Sequence, residues 1–335
     1  MLVWMGIVYH HLPMLFITAL MVALLTFVMP AYAVDLLAPL PARNLYPPMM
    51  RFFDPTPDSA LRSYMHRWSV QVNQHYSTVN LMNRATNPGL LVDMELYVLD
   101  PVLRLTLRNR LELSLRVPLL FPGSGIFDSP IQRFHSWFNM PNGGRELRPN
   151  NRFAYRIDNA KGTRWQSRNR WQMGNVELSA RYHLAGNAQW AIAALAAVKL
   201  PTASQSDGWG SGAADLAGGA VLSWHQGRWF SHLEGWLIQP FAQDTPGMHY
   251  SAYPRGSLAA GYQLFDRASL IVQVQGGNSP YQSQINMLDH PPFLIAFGMR
   301  GALASEAGWS VTIIENITQV TTQDISIAFG LSWPM

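Results

Sequence analysis

The residues with the most chemistry in this chain are Arg104, Glu112, Arg116, Glu177, Arg181 and His183. Each lies in a run with a period of two. In an extended strand, successive side chains point to opposite faces. With Leu111, Leu113, Leu115 and Val117 on one face, Glu112, Ser114 and Arg116 take the other. Val176, Leu178, Ala180, Tyr182 and Leu184 likewise oppose Glu177, Ser179, Arg181 and His183, and Leu103, Leu105 and Leu107 oppose Arg104 and Thr106. Set side by side in one sheet, these strands present a single wall of arginine, glutamate and histidine. The wall opposite, with Gln273, Gln275, Ser310, Thr312, Ser326 and Ser332, is small and neutral. Two uses compete for such a polarised interior. One is a charged eyelet that selects solutes. The other is a structural ladder in which Arg and Glu neutralise each other, because buried charges are tolerated when paired.

Other constellations carry less. His75 and Ser77 share a strand face, as a hydrolytic pair would, but alternation does this to any His-x-Ser, and neither a third member nor an oxyanion hole can be identified. No catalytic residue is assigned, and the chain reads as a non-enzyme. His135 with His183, and His225 with His232, lack the tight spacing and carboxylate partner of a metal site. Gly208–Gly212 and Gly276-Gly277 follow strands rather than opening helices, so they are turn material and not phosphate cradles. No cofactor is expected. The absence of cysteine removes thiol chemistry, disulfides and zinc-cysteine sites. The net charge of +4 does not point to nucleic acid once the export signal described below is considered.

The elements that must hold these side chains are strands. Alternation marks Trp68–Val79, Leu91–Leu107, Arg110–Leu119, Asn175–Leu184, Trp190–Lys199, Ala214–Trp224, Arg228–Gln239, Arg255–Leu264, Ala268–Gln275, Phe293–Leu303, Gly308–Asn316 and Asp324–Trp333. Their connections alternate between short turns, such as Gln226-Gly227, and long loops, such as Pro201–Ala213 and Gly276–Pro292. That is the parity of short periplasmic turns and long extracellular loops. Trp68, Trp190, Trp229 and Trp309 begin strands on the short-turn side and Trp224 and Trp333 end them there, as an interfacial girdle would. Only 13% of residues are charged, yet mean hydropathy is +0.01, as expected when lipid-facing and lumen-facing positions alternate. The fold class is therefore all-β, a transmembrane antiparallel up-and-down β-barrel of about twelve strands.

Three further segments frame the barrel. Met14–Met29 is apolar and runs into Pro30-Ala31-Tyr32-Ala33, which reads as a signal peptide over residues 1–33, although no Lys or Arg precedes Arg43. Residues 34–67 are proline-rich without strand periodicity and read as a periplasmic leader or plug, leaving 68–335 to the barrel. The long loop 120–174 concentrates arginine, including Arg133, Arg152, Arg156, Arg164, Arg168 and Arg170, and within it the stretch Phe134–Arg145 holds a Pro-Asn-Gly-Gly turn suited to end a short helix.

Pro39–Asn44 (PLPARN), Leu111–Leu120 (LELSLRVPLL), the stretch from Phe134 to Ile157 with its PNGGR core at Pro141, Asn142, Gly143, Gly144 and Arg145, and Lys199–Thr202 (KLPT) carry a family resemblance. The chain resembles the uncharacterised domain family numbered 3187, made of secreted proteobacterial proteins taken to be outer-membrane barrels. The resemblance implies a Gram-negative outer-membrane location and brings no activity. Together these readings lead to an outer-membrane barrel that passively passes or binds small, anionic or amphipathic solutes. The alternative is an envelope-maintenance barrel with a closed lumen, plugged by Pro39–Phe53. The expected partners are outer-membrane lipid and lipopolysaccharide, the latter contacted by loop 120–174, and the barrel-assembly machinery.

Overall fold

The computed structural model describes residues 36–61, 67–82, 89–107, 110–137, 139, 149–158, 162, 164–303 and 307–335. The signal segment 1–33 and the loop residues Pro141, Asn142, Gly143, Gly144 and Arg145 lie outside the described residues.

Twelve strands form the barrel: β1 Trp68–Met82, β2 Gly89–Leu107, β3 Leu111–Arg116, β4 Glu177–Gly186, β5 Trp190–Lys199, β6 Asp215–Gln226, β7 Trp229–Pro240, β8 Tyr253–Phe265, β9 Ala268–Gly277, β10 Phe293–Ala302, β11 Gly308–Asn316 and β12 Ile325–Pro334. Each is antiparallel to its sequence neighbours, and β1 pairs with both β2 and β12, so the sheet closes on itself without a free edge. Leu233, Leu237, Leu258, Val272, Phe297, Ile313 and Phe329 point outward and are exposed, while the positions between them are largely buried. The tryptophans at strand ends gather at the short-turn end. Trp190 lies opposite Trp224, and Trp229 lies opposite Tyr262 with ring centroids 4.7 Å apart.

The third strand differs from its expected course. Instead of running unbroken over Arg110–Leu119, it stops at Arg116 because Pro118 cannot donate to the ladder. It resumes at Leu119–Gly123, still paired with β2, and again at Ala154–Asp158. The chain between the last two pieces includes a helix, α1 Asp128–Trp137, and the Pro-Asn-Gly-Gly turn expected to end a helix lies outside the described residues.

Residues 36–61 run inside the barrel as an extended hairpin. The rising limb begins near the short turns, where His232 Nε2 donates to Leu37 O (2.5 Å), and passes Gln273, which accepts from Leu40 N (3.1 Å). It reaches the loop side at Leu45, whose N donates to Gln323 Oε1 (2.8 Å), and turns through a single 3-10 turn at Met49–Arg51. The descending limb donates from Phe53 N to Asp215 (2.7 Å), from Asp58 N to Glu234 (2.7 Å) and from Ala60 N to Ser223 (2.8 Å). Composition explains this course. Pro39, Pro41, Pro47, Pro48, Pro55 and Pro57 have no N–H, so the segment cannot extend the sheet. Barrel side chains serve the donors that remain, as burial requires.

Candidate functional site: the charged interior

The period-two strands bring their polar positions together at the hairpin. Arg116 grips Asp100 through two bonds, one from Nε at 2.5 Å and one from Nη2, and its Nη1 also reaches Glu177 (3.3 Å) and Thr56 (2.9 Å). Arg43, on the rising limb, donates to the other oxygen of Glu177 at 2.9 Å. Arg181 lies 3.3 Å from Glu112 and 3.8 Å from Asp58, and it donates to Ser59 O. Arg104 lies 3.6 Å from Glu112 and donates to Gln71 at 2.8 Å. Glu112, Arg116, Glu177 and Arg181 are buried, as is Asp100. His183 stands apart. It is half-buried, sits at a register shift close to the short-turn end of β4, and joins none of these ion pairs.

The interior is not charged on one wall only. Lys199 and Asp215 (3.2 Å) pair between β5 and β6, Arg255 on β8 pairs with Asp54 of the hairpin (2.9 Å), and Glu234 on β7 accepts from Trp236 Nε1 (2.5 Å). The expected polarity fails because the hairpin carries its own charges, Arg43, Asp54 and Asp58, and partners for them come from the strands on either side. The neutral stretch is confined to β9, β11, β12 and β1, where Gln273, Thr312, Ser326 and Asn73 are buried. Alternation could have found Asp100, which shares a face with Arg104, and Glu234, which shares one with His232. Nothing in the sequence marked Arg43, Asp54 or Asp58 as their partners, because these contacts join residues far apart in the chain.

Height divides the interior into two zones. Toward the loops the wall formed by β1 and β2 is apolar, while the loop-side ends of β5 and β6 carry the buried Lys199–Asp215 pair. Val79, Leu81, Leu90, Val92, Met94, Leu96 and Val98, inward on β1 and β2, pack with Leu45, Tyr46, Met49 and Phe52 of the hairpin. Aromatic groups cap this zone. Tyr281 and Tyr253 donate to Pro48 O (2.7 Å) and Phe53 O (2.6 Å), and Arg51 stacks over Trp165 at 4.1 Å. Toward the short turns lies a cavity of about 90 Å³, lined by Gln71, Arg104, Glu112, Ser114, Arg181 and the hairpin prolines. That volume holds a few waters and no larger solute. His75 and Ser77 are buried beneath the hairpin, and neither the His75 ring nitrogens nor Ser77 Oγ has a hydrogen-bond partner among the described residues, so no base is joined to a nucleophile there.

The fold is similar to that of the COG4313 outer membrane channel from Pseudomonas putida F1, at 14% identity over 82% of this chain and 97% of that chain, with a TM-score of 0.53. More distant likenesses are the NanC porin (7% identity, 80% of this chain and 100% of that chain, TM-score 0.46) and the CymD monoaromatic hydrocarbon channel (12%, 81% and 89%, TM-score 0.40). Among the curated proteins none matches the chain. Residues 14–334 match the model of the family described as protein of unknown function DUF3187, and the chain belongs to that family.

Proposed function

We propose that this protein is an outer-membrane barrel whose lumen is held closed by its own N-terminal hairpin, and that any solute crosses only when the hairpin moves. The observation that carries this reading is the seating of residues 36–61, bonded on both limbs to side chains from strands around the barrel. The zoning of the interior bears on the solute. An anion has no lone guanidinium to meet at Arg116 or Arg43, because each already holds a carboxylate. The wall of β1 and β2 nearer the loops offers leucine, valine and methionine instead. An amphipathic solute, with an apolar body and a polar head, matches both zones better than a bare anion does. In this reading the chain is exported and inserted by the barrel-assembly machinery.

Planar-bilayer recordings test the proposal. The mature protein is expected to be silent, and a variant lacking residues 36–61 to conduct. Steady open conductance from the mature protein would overturn closure. Silence from the shortened variant, with its heat-modifiable gel shift intact, would overturn the hairpin as the closure, because the Pro39–Phe53 plug of the envelope barrel is absent from that variant too.

A further inference from the structure

The third strand position is interrupted at one level. On β2, Glu95 pairs with Gly123 and Asp93 pairs with Ala154, so the ladder is nearly continuous while the chain from 124 to 153 leaves it. It leaves outward. Leu107, Leu105, Leu103, Leu99, Tyr97 and Glu95 share the outer face of β2, yet Glu95 is only 4% exposed because the departing chain covers it. Its carboxylate accepts from Ile126 N (3.0 Å) and Phe127 N (2.6 Å) and also bonds Tyr76 OH. Gly125, at φ +72°, makes the turn, and a side chain there would overlap that carboxylate.

The level of this exit is informative. The outer face of β2 changes from leucine to Tyr97 and then Glu95. Tyr97 meets the Phe121 ring at 5.7 Å, and Tyr76 meets the Phe127 ring at 5.2 Å. At about 3.3 Å per residue and a tilt of about 40°, Glu95 stands roughly 30 Å above the short-turn end of β2, just beyond an apolar band of about 25 Å. The excursion therefore leaves the wall at the outer interface. There it exposes Ile126 (51%), Phe127 (42%) and Trp137 (78%). Its polar side faces the returning chain, where Gln132 and Ser129 bond Asn150, both at 2.9 Å. Exposed Arg133 lies on α1, and exposed Arg152 and Arg156 lie where the strand resumes.

We propose that residues 124–137 are an interfacial foot that rests on the outer leaflet, with Ile126, Phe127 and Trp137 against the head-group-proximal part of the acyl chains and Arg133 and Arg152 on phosphate-bearing lipid head groups. This rests on the membrane reading above. The occupant follows from continuity with the Tyr97–Phe121 and Tyr76–Phe127 ring pairs on the wall beside it, and from charge. Tryptophan beside an apolar surface favours the interface, and guanidinium groups match phosphate.

The chain has no cysteine, so single substitutions accept a fluorophore at one site each. Labels at Trp137→Cys, at Val272→Cys on the outward face of β9 and at Ser206→Cys in an exposed loop can be compared in full-length protein. The bilayers are phosphatidylcholine with and without a bisphosphorylated lipid A, each containing head-group-proximal spin-labelled lipid as quencher. Quenching at 137 is expected to be several-fold stronger than at 206, to rise with lipid A, and to lose that rise in Arg133→Gln/Arg152→Gln. Quenching at 137 no stronger than at 206, with 272 strongly quenched, overturns the foot and leaves the barrel standing. Equal quenching in both bilayers overturns the phosphate assignment. A label at 272 that escapes quenching defeats the membrane reading itself.

Discussion

At the residue scale, the interior is organised by charges that neutralise one another, and the Lys199–Asp215 pair shows this most simply. Both side chains are fully buried. Lys199 Nζ also donates to Arg51 O (2.9 Å) and Ser211 Oγ (2.7 Å), and the second Asp215 oxygen accepts from Phe53 N. The pair therefore ties the barrel wall to the hairpin as well as to itself. Breaking such a pair leaves a charge without its counter-charge and typically costs about 3–5 kcal/mol, whereas replacing both partners with apolar groups is often near neutral. Asp215→Ala should lower the free energy of unfolding, measured by urea titration in lipid vesicles, by that order, and Lys199→Met/Asp215→Leu should recover most of the loss. Equal losses in the single and double variants would show that the cost lies in the hairpin contact and not in the unpaired lysine. Arg116 should be less tolerant of a conservative change. Its planar fork binds both Asp100 oxygens while reaching Glu177 and Thr56, and a lysine has no such geometry. Arg116→Lys should cost about 1–3 kcal/mol by the same measurement.

At the element scale, the twelve strands were legible because one physical rule, apolar against polar at a period of two, operates along nearly all of them. The tryptophans fixed which end was which. The rule failed at the third strand. Pro118 ends its regular ladder, and the excursion that follows depends on Glu95, an outward carboxylate whose partners are backbone N–H groups that sequence patterning does not show. The start of the helix was not legible from the Pro-Asn-Gly-Gly turn, although Pro130 is well suited to a first helical turn. Gly125 is the hinge of this element. Gly125→Ala adds a side chain where φ is positive and where Glu95 already sits, so it should release the excursion without opening the barrel. Trypsin should then cleave after Arg133 several-fold faster than in the parent protein while the heat-modifiable gel shift persists. Loss of the gel shift at the same rate would mean that the excursion is needed to hold the wall.

At the scale of the whole molecule, barrel and hairpin form one core with two environments, and this was the least legible feature. Proline richness signalled that residues 34–67 are not strand, but the partners of the hairpin lie up to 280 positions away, as in the bond from Gln323 Nε2 to Arg43 O (3.1 Å). The direction of the hairpin gives the last prediction. Both limbs run to the short-turn end, where Leu37 meets His232 and Ala60 meets Ser223, and the bend lies under the aromatic cap of Tyr281, Tyr253 and Trp165. Among the described residues, the approach left to such a hairpin is therefore from the short-turn face. In a variant lacking residues 36–61, a synthetic peptide of that sequence should close the conductance when added on the short-turn side and should have little effect from the loop side. The peptide should also raise the unfolding midpoint, because it restores the partners of Glu177, Asp215 and Arg255 and re-covers the leucine, valine and methionine wall of β1 and β2. A peptide that blocks equally from both faces would mean that the loops part to admit it, and that the aromatic cap, not the hairpin, is the movable closure.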